Sequence, residues 1–217
     1  MICSIILAAG NSSRFNSQTP KQFHQLNGRL FLDYPIQTFA NCDEVDQLII
    51  VVPEEKVNAI QGIYSHHHVV SGGKNRRESS FNGLTACPPE TDKVLIHDVA
   101  RALVDKATIL RCIDGLKKAD AVSTAVHAID TVVETNGENI VQMPDRNCIF
   151  LEQTPQGFNY HTILKAHQYS TMDVTDDIQL VKEMGIECKV VEGSEQNFKI
   201  TTQQDFQLAE ILLQENG

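Results

Sequence analysis

The chain has 217 residues, 41% of them hydrophobic, and a formal net charge of −10. That length suits one domain with a small appendage, and a chain of this size buries about 70% of its unfolded surface without disulfide or metal staples. No apolar run approaches the ~20 residues of a membrane helix, and a pI near 5.2 excludes a general binder of nucleic-acid backbone.

Met1–Leu7 carries no basic segment before its apolar run, so Ile2–Leu7 reads as a buried strand and not as a signal peptide. Phe31–Phe39 then has helical spacing, Gln47–Val52 is an aliphatic strand, Val57–Tyr64 is helical and Val69–Val70 is the core of a short strand. His66, His67 and His68 read as an exposed strand edge. A helix over Arg77–Ala86 is stopped by Pro88 and Pro89, the strand Lys93–His97 follows, and Asp105 can cap a helix through Leu110, Ile113 and Leu116. This alternation predicts a mostly parallel sheet with helices on both faces. It breaks after the strand Ala121–Val126. Thr131–Glu134 and Asn139–Gln142 flank an Asn136-Gly137 turn signal, which predicts a hairpin arm projecting at about 127–148. Beyond it come a strand near Ile149–Gln153, helices over Tyr160–Tyr169, Asp177–Met184 and Gln203–Gln214, and short strands at Glu187–Val191 and Phe198–Ile200. There is no internal repeat or linker, so residues 1–217 read as a single domain. The six cysteines are scattered without a Cys-x-x-Cys pair, as free thiols in a cytoplasmic protein would be.

Charge is partitioned unevenly. Residues 1–32 contain no Asp or Glu but hold Arg14, Lys21 and Arg29, so that stretch is +3 and the other 185 residues carry −13. Lys74, Arg76 and Arg77 form a second basic knot. Positive charge gathered into two short segments of an acidic chain points to a small anionic ligand, with chance clustering on a solvated face as the plain alternative.

Five segments could carry chemistry. Leu7-Ala8-Ala9-Gly10 leads from the first strand into a loop ending near Arg14, with Pro20-Lys21-Gln22 beyond it. Small residues let the backbone approach and cradle a phosphate, although neither a Walker loop nor a dinucleotide fingerprint is present. Ser71-Gly72-Gly73-Lys74-Asn75-Arg76 opens a helix, so Arg76 and Ser79 share a face near its N-terminus, where anions or base edges bind; an ordinary charged loop is the alternative. His97-Asp98 ends a buried strand, where ligands collect in open parallel sheets, and Asp98 is a candidate metal or substrate ligand or a turn residue. The fourth segment joins Asp145-Arg146 to Gln153-Thr154-Pro155-Gln156. The fifth is Asn197-Phe198-Lys199-Ile200-Thr201, with one cation inside a predicted strand.

In this order, over nearly the whole chain, these segments resemble the 2-C-methyl-D-erythritol 4-phosphate cytidylyltransferase family. The ribitol-5-phosphate cytidylyltransferases share most of the pattern. The resemblance implies a Rossmann-like nucleotide-diphospho-sugar transferase fold, a Mg²⁺ requirement and a homodimer that exchanges its hairpin arms. Matched by position, Ala8, Ala9 and Gly10 would line the CTP site, and Gly72, Arg76 and Ser79 would read cytosine and ribose. Arg14, Lys21 and Lys199 would hold the triphosphate, with Asp98 where metal and substrate meet. Arg101, Thr131, Arg146 and Thr154 would bind the polyol phosphate. The implied reaction transfers CMP from CTP to 2-C-methyl-D-erythritol 4-phosphate.

Three features depart from the family pattern. Asn11-Ser12-Ser13 stands where the family places glycines, Ala102 replaces a proline, and apolar Ile129 precedes Asp130-Thr131, as in the ribitol branch. Ribitol 5-phosphate is therefore the alternative acceptor, and a non-catalytic nucleotide-binding protein is the alternative of another class. No nucleic-acid or membrane partner is implied.

Overall fold

The computed structural model describes residues 1–12, 15 and 19–215. Its centre is a seven-stranded sheet of β1 (Ile2–Leu7), β4 (Gln47–Val52), β5 (His68–Ser71), β6 (Lys93–Asp98), β7 (Ala121–His127), β10 (Phe150–Asn159) and β11 (Cys188–Glu192). Their order across the sheet is β11-β7-β10-β6-β1-β4-β5. All neighbours are parallel except β10, which runs antiparallel to both β6 and β7. From β1 the chain builds outward through β4 and β5, then returns to place β6 on the other side. β1 is thus a switch point, and a crevice opens at its carboxyl end.

Alternation along the buried strands sends side chains into two cores. Ile6, Leu48, Ile50, Leu95 and Val122 face one side, where they meet α1 (Asp33–Ala40), α2 (Val57–Ile63), α4 (Lys106–Gly115) and α7 (Gln203–Glu215). Ile5, Ile49, Val51, Val94 and Ile96 face the other, against α3 (Arg76–Thr85), α5 (Tyr160–Tyr169) and α6 (Ile178–Glu183). The predicted parallel sheet with helices on both faces is therefore present. Asp105 does cap α4, its side chain accepting from the Thr108 N–H at 2.6 Å.

Two small hairpins stand apart from the main sheet. β2 (Gln25–Leu26) and β3 (Arg29–Leu30), absent from the sequence reading, turn through Asn27-Gly28, both at positive φ. Those two-residue strands are too short to show periodicity. β8 (Glu134–Asn136) and β9 (Asn139–Gln142) form the arm. Its turn is centred one residue later than the Asn-Gly signal implied. Asn136 pairs with Asn139, and Gly137 takes φ +69° as first residue of a two-residue loop.

Two strand expectations are corrected. Phe198–Ile200 is not a strand; the segment is irregular, and the Ile200 N–H bonds the Ala100 carbonyl. β10 runs ten residues where about five were expected. It continues past Pro155 because the register shifts between Gln153 and Gln156, and such a bulge removes the ladder bond that proline could not donate. Among the described residues no helix is long and apolar enough to cross a membrane.

Candidate active site

A cavity of about 500 Å³ occupies the crevice. Its floor is the end of β1 and the loop that follows. Gln22, 1% exposed, fastens that loop: its Nε2 donates to the carbonyls of Ala8 (2.7 Å) and Gly10 (2.8 Å), and its Oε1 accepts from Ser12 Oγ (3.0 Å). Ser12 has φ +50°. The loop thus takes at serine the left-handed turn for which glycine is the cheaper residue, with Gln22 holding it there.

One wall is the N-terminus of α3. Asn75 caps it, accepting from the Glu78 N–H at 2.8 Å, while Ser79 Oγ accepts from the Gly73 N–H at 3.0 Å. Gly72 lies behind this wall. A side chain there would put its Cβ 2.3 Å from Ala9 Cβ and 2.9 Å from Ser79 Oγ, so only glycine lets the two loops meet. The other wall is the end of β6 with the 199–201 segment, where Lys21 Nζ donates to the Ile200 carbonyl.

Asp98 sits between these walls. Arg76 Nε donates to its Oδ1 at 3.1 Å and Lys199 Nζ to its Oδ2 at 2.8 Å. Burial opposes ionisation of this carboxyl, but Arg76 and Lys199 outweigh it and hold the group well below the usual carboxylate range. The Asp98 N–H donates to Thr154 Oγ1 at 3.1 Å, Thr154 in turn donates to His97 Nδ1 at 3.0 Å, and His97 Nε2 donates to the Arg101 carbonyl at 3.1 Å. Burial pushes the His97 imidazole down to about 4, in keeping with a neutral ring that accepts at one nitrogen and donates at the other.

Of the residues expected at the site, Ala9, Gly10, Lys21, Arg76, Ser79, Asp98 and Lys199 line the cavity together. Ala8, Gly72 and Thr154 stand in the walls behind it. Arg76 also meets a second carboxylate, Asp177 Oδ2, which takes its Nη1 at 2.7 Å. The Arg101 guanidinium bonds the carbonyls of Asn197 and Glu152, both at 2.8 Å. Thr131 and Arg146 sit on the exposed approaches of the arm, Arg146 bonding the Ile129 carbonyl at 3.0 Å. Arg14 lies outside the described residues. Sequence reasoning missed Gln22, Asn75, Thr201 and Asp177. Gln22, Asn75 and Thr201 each stood inside a motif, Pro20-Lys21-Gln22, Ser71–Arg76 and Asn197–Thr201, whereas Asp177 stood in none of the five segments.

Asp98 is the one carboxylate lining the cavity among the described residues, where no three His, Cys, Asp or Glu side chains converge on a point. This donor set suits a divalent ion that arrives with phosphates and keeps several waters, taking one protein carboxylate.

The chain matches the family described as "IspD: 2-C-methyl-D-erythritol 4-phosphate cytidylyltransferase" over residues 2–215. It is 34% identical to the Clostridium botulinum protein of that name over 220 residues, covering 97% of this chain and 96% of the relative. The Streptomyces coelicolor protein of the same name is 35% identical, over 97% of this chain and 84% of that one. A solved 4-diphosphocytidyl-2C-methyl-D-erythritol synthase from Anaerococcus prevotii superposes with a TM-score of 0.87 at 32% identity, over 98% of each chain. The Thermus thermophilus 2-C-methyl-D-erythritol 4-phosphate cytidylyltransferase gives a TM-score of 0.82 at 29% identity, over 97% of this chain and 98% of that one.

Proposed function

The chain belongs to the 2-C-methyl-D-erythritol 4-phosphate cytidylyltransferase family, and from that premise we propose that it transfers CMP from CTP to 2-C-methyl-D-erythritol 4-phosphate. The products are 4-diphosphocytidyl-2-C-methyl-D-erythritol, an intermediate of isoprenoid precursor synthesis, and pyrophosphate. The observation that carries this reading is the meeting of Lys21, Lys199 and Asp98 with the capped N-terminus of α3 in one cavity.

A phosphate oxygen of the acceptor attacks the α-phosphorus of CTP in line. The new oxygen–phosphorus bond forms as the bond to the bridging oxygen of the β-phosphate breaks, and pyrophosphate leaves with those electrons. The nucleophile is already an anion, so no general base is required; His97 is buried and held neutral. The task is to bring two anions together and to spread the charge of the transferring group, which positioned cations do. Lys21 and Lys199, together with Arg14, serve the triphosphate. Ala9, Gly10 and Ser79 border the nucleotide, with Ala8 and Gly72 shaping the loops behind them. Thr154 sets the backbone of Asp98 and the edge of the acceptor site, where Arg101, Thr131 and Arg146 meet the polyol phosphate. Mg²⁺ held by Asp98 and the phosphates would supply further charge neutralisation.

Residues 1–217 act as one cytidylyltransferase domain with the arm at about 127–148. The arm supports a homodimer through exchanged hairpins, since Ile129, Ile140, Val141 and Met143 are between 56% and 71% exposed on it. An acidic chain with six thiols suits a reducing, cytoplasmic compartment.

Pyrophosphate release measured with CTP and each of two acceptors tests the reading. We expect kcat/KM to favour 2-C-methyl-D-erythritol 4-phosphate strongly over ribitol 5-phosphate. A preference for ribitol 5-phosphate would reassign the acceptor, and no release with any polyol phosphate would indicate a nucleotide-binding protein without catalysis.

A further inference from the structure

Behind the cavity, a line of charged and polar side chains runs away from Asp98 into the second core. Arg76 joins Asp98 (Nε to Oδ1, 3.1 Å) to Asp177 (Nη1 to Oδ2, 2.7 Å), and His167 Nε2 donates to the remaining oxygen of Asp177, Oδ1, at 2.9 Å. Asp177 is fully buried and His167 is 4% exposed, and neither lines the cavity. We propose that Asp177 and His167 are positioning residues for the nucleotidyl transfer, clamping the Arg76 guanidinium so that it fixes the Asp98 carboxylate at the cavity wall. The proposal rests on the functional reading above and adds two residues that the chemistry itself does not touch.

The geometry argues for orientation over mere cohesion. A guanidinium is a rigid planar fork, and one bound through adjacent nitrogens to two different carboxylates cannot rotate about its stem. With Asp177 gone, it is free to turn its whole fork onto Asp98 and draw both carboxylate oxygens away from Lys199 and the cavity. Asp177 is itself held on every side: its two oxygens are taken by Arg76 and His167, and its N–H donates to Gln156 Oε1 at 3.1 Å. Among the described residues His167 has one side-chain hydrogen bond, the one to Asp177, its Nδ1 being buried without a partner. Its backbone is fixed from the same helix that supplies Arg76. The next residue, Arg77, donates through Nη2 to the carbonyls of His167 and Ser170 at the end of α5, where a cation also meets the negative end of the helix dipole. Adjacent arginines at the start of α3 thus take different partners, Arg76 at the cavity wall and Arg77 at the end of the helix that carries His167. Paired charges buried this deeply bring little stability that apolar residues could not match, so the value of the line lies in the geometry it imposes.

The test compares the full-length protein with Asp177→Asn, His167→Leu and His167→Gln, in steady-state assays with CTP and the methylerythritol acceptor and by ¹⁵N NMR of the arginine Nε–H groups. Glutamine can present its amide nitrogen where the histidine Nε2 stands. We expect Asp177→Asn to lower kcat about 100-fold and His167→Leu about tenfold, with the KM for CTP changed less than about threefold, as for a misoriented reacting group. His167→Gln should restore kcat to within about threefold of the unsubstituted protein. The Arg76 Nε–H resonance should move in Asp177→Asn. Unchanged turnover per folded molecule in Asp177→Asn and His167→Leu, or a His167→Gln protein as impaired as His167→Leu, overturns the proposal. If Asp177→Asn does not fold, the two His167 variants decide alone. If the unsubstituted protein makes no cytidylyl product, the functional reading fails. The Arg76 resonance then still judges the clamp, and an unmoved signal in a folded Asp177→Asn protein refutes it.

Discussion

Lys199 separates stability from chemistry more cleanly than any other residue of the cavity. Its ammonium sits 2.8 Å from Asp98 Oδ2 while its side chain remains 42% exposed, and pairs this open to water contribute at most about 1 kcal/mol. Removing the charge should therefore spare the fold. In the proposed reaction the same charge faces the triphosphate, where a preorganised donor contributes far more because the reacting group is shielded from water. We expect Lys199→Ala to keep its melting temperature within a few degrees while kcat at saturating CTP falls roughly 10²- to 10³-fold, read by pyrophosphate release. Near-normal turnover would remove Lys199 from the machinery. Lys199 and Asp98 were both legible in the sequence because each sits in a short motif at the end of a strand or loop. The contact of Arg76 with Asp177 was not. Asp177 lies 101 residues downstream, and no local pattern announces a contact made by tertiary packing.

At the level of elements, α3 joins the site to the core, with its first turn in the cavity and its body against β1 and α5. Its start is set by Asn75, whose side chain takes the Glu78 N–H, while the N–H of Lys74, the residue before the cap, donates to Glu78 Oε2 at 2.8 Å. Asn75→Ala should cost about 1 kcal/mol of stability, measured by urea unfolding. In the proposed complex the frayed turn borders the nucleotide, so the KM for CTP should rise in the same variant while the KM for the acceptor stays put. A cap variant with unchanged KM for CTP would show that the start of α3 is not a nucleotide contact. The helices and the two-sided strands were legible because burial on one or both faces writes a period into the sequence. β10 was read at half its length because Pro155 looks like a stop, and the bulge that accommodates it appears only when β6 and β7 stand on either side. Phe198–Ile200 has strand-like alternation but no neighbour to pair with, so it stays irregular and is held instead by single bonds to Ala100 and Lys21.

For the molecule as a whole, the split between an acidic body and a cationic site maps onto the fold. The acid-free first 32 residues supply the cavity floor, and the −13 lies on the remaining 185. The arm adds a second division. No residue between 127 and 148 lines the cavity, yet the arm and its base expose Ile129, Ile140, Val141, Met143, Phe150 and Leu151, with Met143 at 62% and Leu151 at 53%. So much apolar surface on one projection fits the proposed isologous contact between two copies. Replacing residues 131–142 with a short Gly-Ser link should therefore give monomers by sedimentation that still bind CTP with unchanged affinity, because every cavity-lining element lies in the main sheet, its loops and α3. Turnover of the polyol phosphate should fall, with its KM raised, since Thr131 is deleted and Arg146 loses the geometry of the arm. Two outcomes count against this division of labour. An unchanged dimer would place the interface elsewhere, and a loss of CTP affinity would show that the arm reaches the nucleotide half of the site.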